Sequence, residues 1–499
     1  MSGCRVVLAI DQGTTSTRAI AFDAEGRPRA AAQVPLTQIY PAPGEVEHDP
    51  EEIWQSVLTA GRGALRDIGP QAVAAIGITN QRETTIVWER VTAKPLFNAI
   101  VWQDRRTARH CDELRQEGLE GYVAEATGLV IDPYFSATKL AWLLANVPDL
   151  EARARKGEVC FGTVDSFLLF KLTGGRLHAM EASNAARTML YDIRSGKWDD
   201  RLLDHLAIPR EMLPEIRDSQ SDFGTTEAAH FGAPIPITGV AGDQQAAAYG
   251  QACFEPGMLK ATYGTGCFVL ANTGTTKAAS TKRMLSTIFH QLEGKRTFAL
   301  EGAIFMAGAT VQWLRDSLGL IATAAESEGL AHLADPNSGV YLVPAFQGLG
   351  APHWDAGARA AILGLTRAAS GADIVAAGLE AVAFQTRDLL DAMRQDMARG
   401  GISRSAGLRV DGGMTANGWF MQRLADILGE RIEVALNAET TALGAAYLAG
   451  QAAGIYGSQA ELQRAWAPAR AFEPRMSTDQ RDARYGGWLD AVAKVRSNA

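Results

Sequence analysis

The sequence predicts an α/β protein of two related halves, each a mixed β-sheet flanked by helices, facing each other across a cleft. Two observations carry this prediction. Strand-like runs at Val6–Ile10, Thr17–Asp23 and Arg29–Val34 are followed by a helix and a buried strand, Val73–Ile78, and a β-β-β-α-β order gives a mixed sheet with helices packed on it. A short apolar run leading into a glycine-threonine turn then occurs twice, within Val7–Arg18 and within Lys260–Gly266, roughly 250 residues apart, which points to two related halves. A chain of 499 residues that is 47% hydrophobic and 21% charged has enough apolar material to bury the cores of two or three domains.

Each element follows from local chemistry. Ala24-Glu25-Gly26-Arg27 is a hairpin turn between the second and third strands. Asp49-Pro50 ahead of Glu51-Glu52-Ile53-Trp54 supplies an N-cap and a proline at the first helical position, and the helix is expected to reach about Asp67. Phe254-Glu255-Pro256-Gly257 provides turn residues between two patterned regions, which places the boundary near Gln251–Gly257 and the domains at 4–252 and 257–499. Beyond it the sequence predicts a strand over Cys267–Ala271, helices over Ile304–Leu318 and Asp373–Arg399 (with Gly378 inside), a strand over Leu408–Val410 ending in Asp411-Gly412-Gly413, and a helix over Asn417–Leu428.

Composition narrows the function classes. Lys and Arg total 48 against 56 acids, a net charge of −8, so a broad nucleic-acid-binding face is not expected and an anionic substrate needs a local basic pocket. The five cysteines, at 4, 111, 160, 253 and 267, show no Cys-x-x-Cys spacing, which argues against structural zinc or a disulfide framework and for reduced thiols in a cytoplasm. No apolar run approaches the ~20 residues that span a bilayer, and Asp11 interrupts the first apolar run where a signal peptide needs a longer one.

Chemistry concentrates at a few points. The Asp11 turn offers backbone N–H groups, the Thr14 and Thr15 hydroxyls and a carboxylate suited to Mg²⁺, directly or through water; the plain alternative is a β-turn closure. Arg82-Glu83 follows a buried strand and can present donors and an acceptor to a polyol, or form a solvated ion pair. Trp102 and Tyr134 offer an apolar wall and a hydroxyl, although each is also ordinary packing. Asp243 lies where an apolar strand meets an alanine-rich helix, as a general base for a hydroxyl attacking phosphorus or as the N-cap of a helix Gln244–Gly250. Asp411-Gly412-Gly413 can expose bare backbone to a nucleotide, or be a tight turn that needs glycine for packing.

With these segments in place the chain resembles the glycerol kinases, of the sugar-kinase family that shares the actin and hexokinase ATPase fold. The resemblance covers nearly the whole chain: the Asp11 turn, Ile39-Tyr40-Pro41, Val46 to Pro50, Asn80 to Thr85, Pro133 to Ser136, Arg187 to Leu190, Gly242 to Gln245, Tyr263 to Phe268, Gly302 to Trp313, Pro344 to Pro352, Trp354-Asp355 and Asp411 to Asn417. It implies two actin/hexokinase-like (ribonuclease H-like) domains and ATP-dependent phosphorylation of glycerol at a terminal hydroxyl, giving sn-glycerol 3-phosphate and ADP. It also implies a polyol pocket of Arg82, Glu83, Trp102, Tyr134, Asp243 and Phe268 with Gln244 beside it, Asp243 being the general base. Thr14, Thr15, Ser16 and Arg18 would form the first phosphate contacts, Thr265 and Gly266 the second, and Gly308, Gln312, Gly413 and Asn417 the remaining nucleotide contacts. Asp11 would anchor the hydration shell of Mg²⁺. The partners so implied are glycerol, MgATP and further copies of the chain, as a dimer or tetramer. Departures from the family pattern are Glu45 where Trp is usual, Gln347 and His353 where Thr and Tyr are usual, and Ala360 for Gly. Phe231 to Pro236 lacks the Gly-Gly-Thr-Arg loop through which some members bind fructose 1,6-bisphosphate, and His230 reads as a plain surface histidine. The alternatives are a kinase for threitol, erythritol or xylulose on the same phosphate apparatus, and a non-catalytic actin-like ATP-binding protein.

Overall fold

The structure, a computed structural model, describes residues 5–497 except 356, 404 and 406; Cys4 and the outermost ends of the two expected domains lie outside the described residues. The first sheet has the order Ile237–Gly242, Val73–Asn80, Val6–Gln12, Ser16–Phe22, Pro28–Pro35. Its first three strands are parallel and its last two antiparallel, as the meander predicts. Val73–Asn80 runs two residues past Ile78 because Thr79 and Asn80 are paired on both sides, by Asp11 and Gln12 and by Ala241 and Gly242. The helix Pro50–Leu65 opens on Asp49, whose carboxylate accepts the Glu51 N–H at 2.9 Å. It stops short of Asp67 where the Arg66 N–H turns back to Gly63 O.

The second sheet has seven strands in the order Leu285–Leu292, Lys295–Ile304, Cys267–Gly274, Leu259–Tyr263, Leu408–Asp411, Ile432–Ala435, Pro468–Phe472. From Ile432–Ala435 to Lys295–Ile304 its central five repeat the parallel, parallel, antiparallel, antiparallel pairing of the first sheet. The edge strand Leu285–Leu292 is covered by the first half: Ser286 N–H bonds Gly128 O and Ser219 N–H bonds Gln291 O, both at 2.8 Å, and Gln245 Nε2 bonds Ile288 O at 3.1 Å.

One predicted helix starts later than its sequence suggests. Ile304 ends the strand Lys295–Ile304, and the helix is Gly308–Asp316. The Ala307, Gly308 and Ala309 N–H groups are spent on the Thr265 and Gly264 carbonyls, which delays the helical ladder and seats the helix start on the second glycine-threonine turn. The helix Gly371–Arg399 begins two residues before Asp373 in a capping box, Ser370 with Asp373, and Gly378 lets it pass Leu314. Asn417 caps the helix Gly418–Leu428 instead of opening it, accepting the Phe420 N–H at 2.8 Å.

The halves meet on a crossing of two helices, Asp243–Gly250 from the first and Thr440–Ala452 from the second, with the latter also lying on the first sheet. Glycine makes the approach possible. A Cβ on Gly444 would lie 2.6 Å from the carbonyl carbon of Ala246 and 2.9 Å from Gly250 N; one on Gly77 would lie 2.6 Å from the carbonyl carbon of Ala445.

Candidate active site

The first sheet delivers Asp11 near the end of Val6–Gln12, Arg82 and Glu83 just after Val73–Asn80, and Asp243 just after Ile237–Gly242, so three parallel strands release their functional residues at one end. The solvated-pair reading of Arg82-Glu83 is overturned: the two residues are 3% and 1% exposed. Arg82 Nη1 and Nη2 bond Glu301 Oε2 and Oε1 at 2.5 and 3.0 Å, and Arg82 Nε lies 3.0 Å from Asp243 Oδ1. Arg187 Nε bonds Glu83 Oε1 at 2.5 Å, and its Nη2 lies 3.1 Å from Glu301 Oε1. Burial opposes the charge on Glu301, but Arg187 and Arg82 bring its carboxyl down to about 2. Glu83 takes a left-handed backbone, φ 61°, fixed by the Thr85 and Ser136 hydroxyls on its carbonyl. Arg187 and Glu301 had no role in the sequence reading.

Over these charges stand three aromatic rings. Trp102 meets Tyr134 and Phe268 edge-on, with centroids 5.6 and 6.5 Å apart. The Trp102 indole N–H donates to Thr14 Oγ1 at 2.9 Å, tying the aromatic wall to the first glycine-threonine turn. Phe268 comes from the second half, paired with Ala303 two residues from Glu301. Gln244 Oε1 accepts from the buried Lys260 Nζ at 2.6 Å. Asp243 keeps about a third of its side chain, 32%, exposed. The helix begins at Asp243 itself, with Gly242 as N-cap, so the expected cap at Asp243 is replaced by a bond from the adjacent Gln244 N–H at 2.6 Å.

The aromatic wall links the two glycine-threonine turns: Trp102 bonds Thr14 in the first and meets Phe268, two residues after Gly266 in the second. Thr15, Gly264 and Thr265 are exposed, and Thr14, Ser16 and Gly266 half-buried. Gly264 has ample space where a Cβ would stand and Gly413 has nothing within 4 Å there, so both leave backbone accessible. Gly308 could carry no side chain, because its Cβ would lie 2.6 Å from Gly264 O; Gln312 is exposed one turn further along that helix. Two expected nucleotide contacts are engaged elsewhere: Arg18 pairs with Glu439 and bonds Gln33, and the Asn417 amide caps its helix and bonds Ser327 Oγ at 3.2 Å.

The Asp11 carboxylate makes no hydrogen bond or ion pair among the described residues, and burial, with the Asp243 and Glu439 carboxylates adding, pushes it up to about 7. Asp243 and Glu439 have their own cations in Arg82 and Arg18, and no group of three or more His, Cys, Asp or Glu among the described residues is placed to hold a metal ion directly, so the unpaired Asp11 carboxylate at a phosphate turn fits a hard divalent ion only through water. Elsewhere, His230 is not a plain surface residue: it is half-buried, edge-on to Trp54 at 5.0 Å, with Nε2 3.2 Å from Lys171 O. Cys111, Cys160, Cys253 and Cys267 are free and buried. No helix among the described residues is long and apolar enough to cross a membrane.

A sheet pattern repeated in both halves, each half carrying a glycine-threonine turn, with buried charges under an aromatic wall between them, fits a two-domain phosphotransferase acting on a hydroxyl compound. Residues 6–250 match the N-terminal domain and residues 259–453 the C-terminal domain of the FGGY family of carbohydrate kinases, and the chain belongs to that family. It is 57% identical to a glycerol kinase of Rhizobium rhizogenes over 98% of this chain and 99% of that protein, and 56% identical to a glycerol kinase of Brucella ovis over 99% of both. Its structure is similar to that of Plasmodium falciparum glycerol kinase with ADP, at a TM-score of 0.93 and 37% identity, covering 99% of this chain and 98% of that one. A xylulose kinase from Lactobacillus acidophilus, 21% identical over 99% of each chain with a TM-score of 0.86, shares the fold. The actin/hexokinase-like fold expected from the sequence is therefore the fold observed.

Proposed function

We propose that the chain transfers the γ-phosphoryl group of ATP to a terminal hydroxyl of glycerol, yielding sn-glycerol 3-phosphate and ADP. The observation that carries this reading is the convergence of Arg82, Glu83 and Asp243 beneath Trp102, Tyr134 and Phe268, a polar floor under a narrow aromatic wall. Glycerol offers the matching surfaces, hydroxyls for the floor and a short carbon edge for the rings.

In this reading Asp243 takes the proton of the acceptor hydroxyl as its oxygen forms the new bond to the γ-phosphorus and the bond from that phosphorus to ADP breaks. Arg82 fixes the orientation of Asp243. Thr14 accepts from Trp102, so its own O–H remains free to donate to phosphate, alongside Thr15, Ser16 and the Thr265–Gly266 backbone. Gly308, Gln312, Gly413 and Asn417 line the adenosine side. Arg18 and Asn417 reach the nucleotide by exchanging the bonds they hold. Asp11 would hold Mg²⁺ through water, and the ion would supply neutralising charge to the phosphates. Closure of the halves keeps water, the competing acceptor, from the γ-phosphate. The reading places the protein in the cytoplasm as a homo-oligomer, a state that light scattering on the purified protein measures.

The test is ADP release from MgATP with glycerol, threitol, erythritol, xylulose or no acceptor in parallel. Preference for glycerol is expected. Preference for a longer acceptor overturns the pocket assignment, and ATP binding without acceptor-dependent turnover overturns the reaction.

A further inference from the structure

Arg82 and Glu83 do not orient themselves, and a count of their hydrogen bonds shows what does. A guanidinium has five N–H donors in a fixed fork. Arg82 directs Nε at Asp243, both Nη1 hydrogens at Glu301 Oε2 and Gln245 Oε1 (2.5 and 3.2 Å), and one Nη2 hydrogen at Glu301 Oε1 (3.0 Å). One Nη2 hydrogen remains. Glu83 gives Oε1 to Arg187 Nε at 2.5 Å, and Oε2 makes no bond among the described residues. Arg187, fully buried, completes the frame: its guanidinium lies 5.4 and 5.3 Å from the Tyr134 and Phe135 ring centroids and 3.1 Å from Glu301.

We infer that Arg187 and Glu301 are positioning residues that dictate acceptor recognition: they occupy the remaining atoms of Arg82 and Glu83 so that one N–H and one carboxylate oxygen are left for the hydroxyls of a small polyol. Glu301 acts from the second half of the chain, on the same sheet face as Phe268, so the polar floor and the aromatic wall are each completed across the cleft. Loss of either positioning residue leaves buried donors or a buried charge unmatched and lets Arg82 or Glu83 turn away. This inference rests on the proposed polyol kinase reading and names the groups that enforce it.

The experiment compares wild-type protein, Glu301→Gln and Arg187→Lys in steady state, varying glycerol and MgATP separately, and repeats each with 1,3-propanediol, which lacks the central hydroxyl. Wild-type protein should discriminate against the diol, because the remaining N–H of Arg82 and the free carboxylate oxygen of Glu83 then share a single non-reacting hydroxyl in place of two. Glu301→Gln places an amide N–H against Arg82, so KM for glycerol should rise about tenfold or more, KM for ATP should stay within about twofold, and the preference for glycerol over the diol should shrink. Arg187→Lys keeps the charge and loses the fork; it should show the same pattern more weakly and serves if Glu301→Gln does not fold. Glycerol KM and discrimination unchanged in a folded variant overturn the inference while the wild-type activity stands. Absence of wild-type turnover with glycerol overturns the functional reading and this inference with it.

Discussion

Gly444→Ala tests whether the helix crossing sets the position of the proposed base. The added Cβ would sit 2.6 Å from the Ala246 carbonyl carbon, with the Ala246 oxygen nearer still. Carbon atoms in contact rest about 3.5–4.0 Å apart, so the helices must separate by about 1 Å. Ala246 lies one turn beyond Asp243 on a helix of eight residues, so Asp243 moves with it. A displacement of that size in a reacting group costs on the order of 10²-fold in rate. Overpacking costs about 1–3 kcal/mol, partly offset by the ~1 kcal/mol that alanine gains over glycine inside a helix. The assay is kcat with glycerol at saturating MgATP, beside urea unfolding. Gly486→Ala is the control, since Gly486 lies inside the helix Thr478–Val495 with nothing within 4 Å of its Cβ position, and it should stabilise without changing kcat. A Gly444→Ala protein with kcat within about threefold of wild type would refute the argument that this contact fixes the base.

Three further outcomes are expected. Asp243→Asn should lower kcat by about 10²–10⁴-fold while MgATP still binds in calorimetry, and near-normal turnover would remove Asp243 from the role of base. His290 is buried against Tyr249 and Phe289, and burial pulls its pKa down to about 4 from 6.5. The unfolded chain therefore takes up a proton below pH 6.5 that the folded chain refuses until about pH 4, so wild-type stability falls as pH drops through that window, and His290→Gln should escape up to about 3 kcal/mol of the loss; parallel unfolding curves against pH would count against it. Burial raises the thiol pKa of Cys111, Cys160, Cys253 and Cys267, so these four should react with a thiol reagent only on unfolding, and rapid native labelling of any of them contradicts the packing.

Sequence reasoning reached furthest where local chemistry decides. Asp49-Pro50 marks a helix start by its own chemistry, and the opening meander is written in short strand-like runs and a glycine turn. The Ile304 region defeated it because the apolar run Ile304-Phe305-Met306-Ala307 fits strand or helix equally, and the choice is made by carbonyls of Gly264 and Thr265 some 40 residues earlier. The frame of the pocket was out of reach for the same reason. Arg187 stands 104 residues from Glu83, and Glu301 stands 219 from Arg82. A buried ion pair has no local periodicity, and a lone Arg or Glu in sequence reads as surface. The resemblance drew attention to the stretch Arg187 to Leu190 but gave Arg187 no task; the donor count in the folded protein does.

The covered edge of the second sheet has a consequence for the life of the chain on the ribosome. Gly128, Ser219 and Gln245, which occupy the outer backbone of Leu285–Leu292, are all synthesised before that strand. When the strand emerges, its cap is already made, and an unpaired hydrogen-bonding edge, a ready template for joining neighbouring chains, is exposed only briefly. A circular permutant that begins at the second half reverses this order, presenting the strand before its cap, and is the arrangement in which co-translational aggregation should appear.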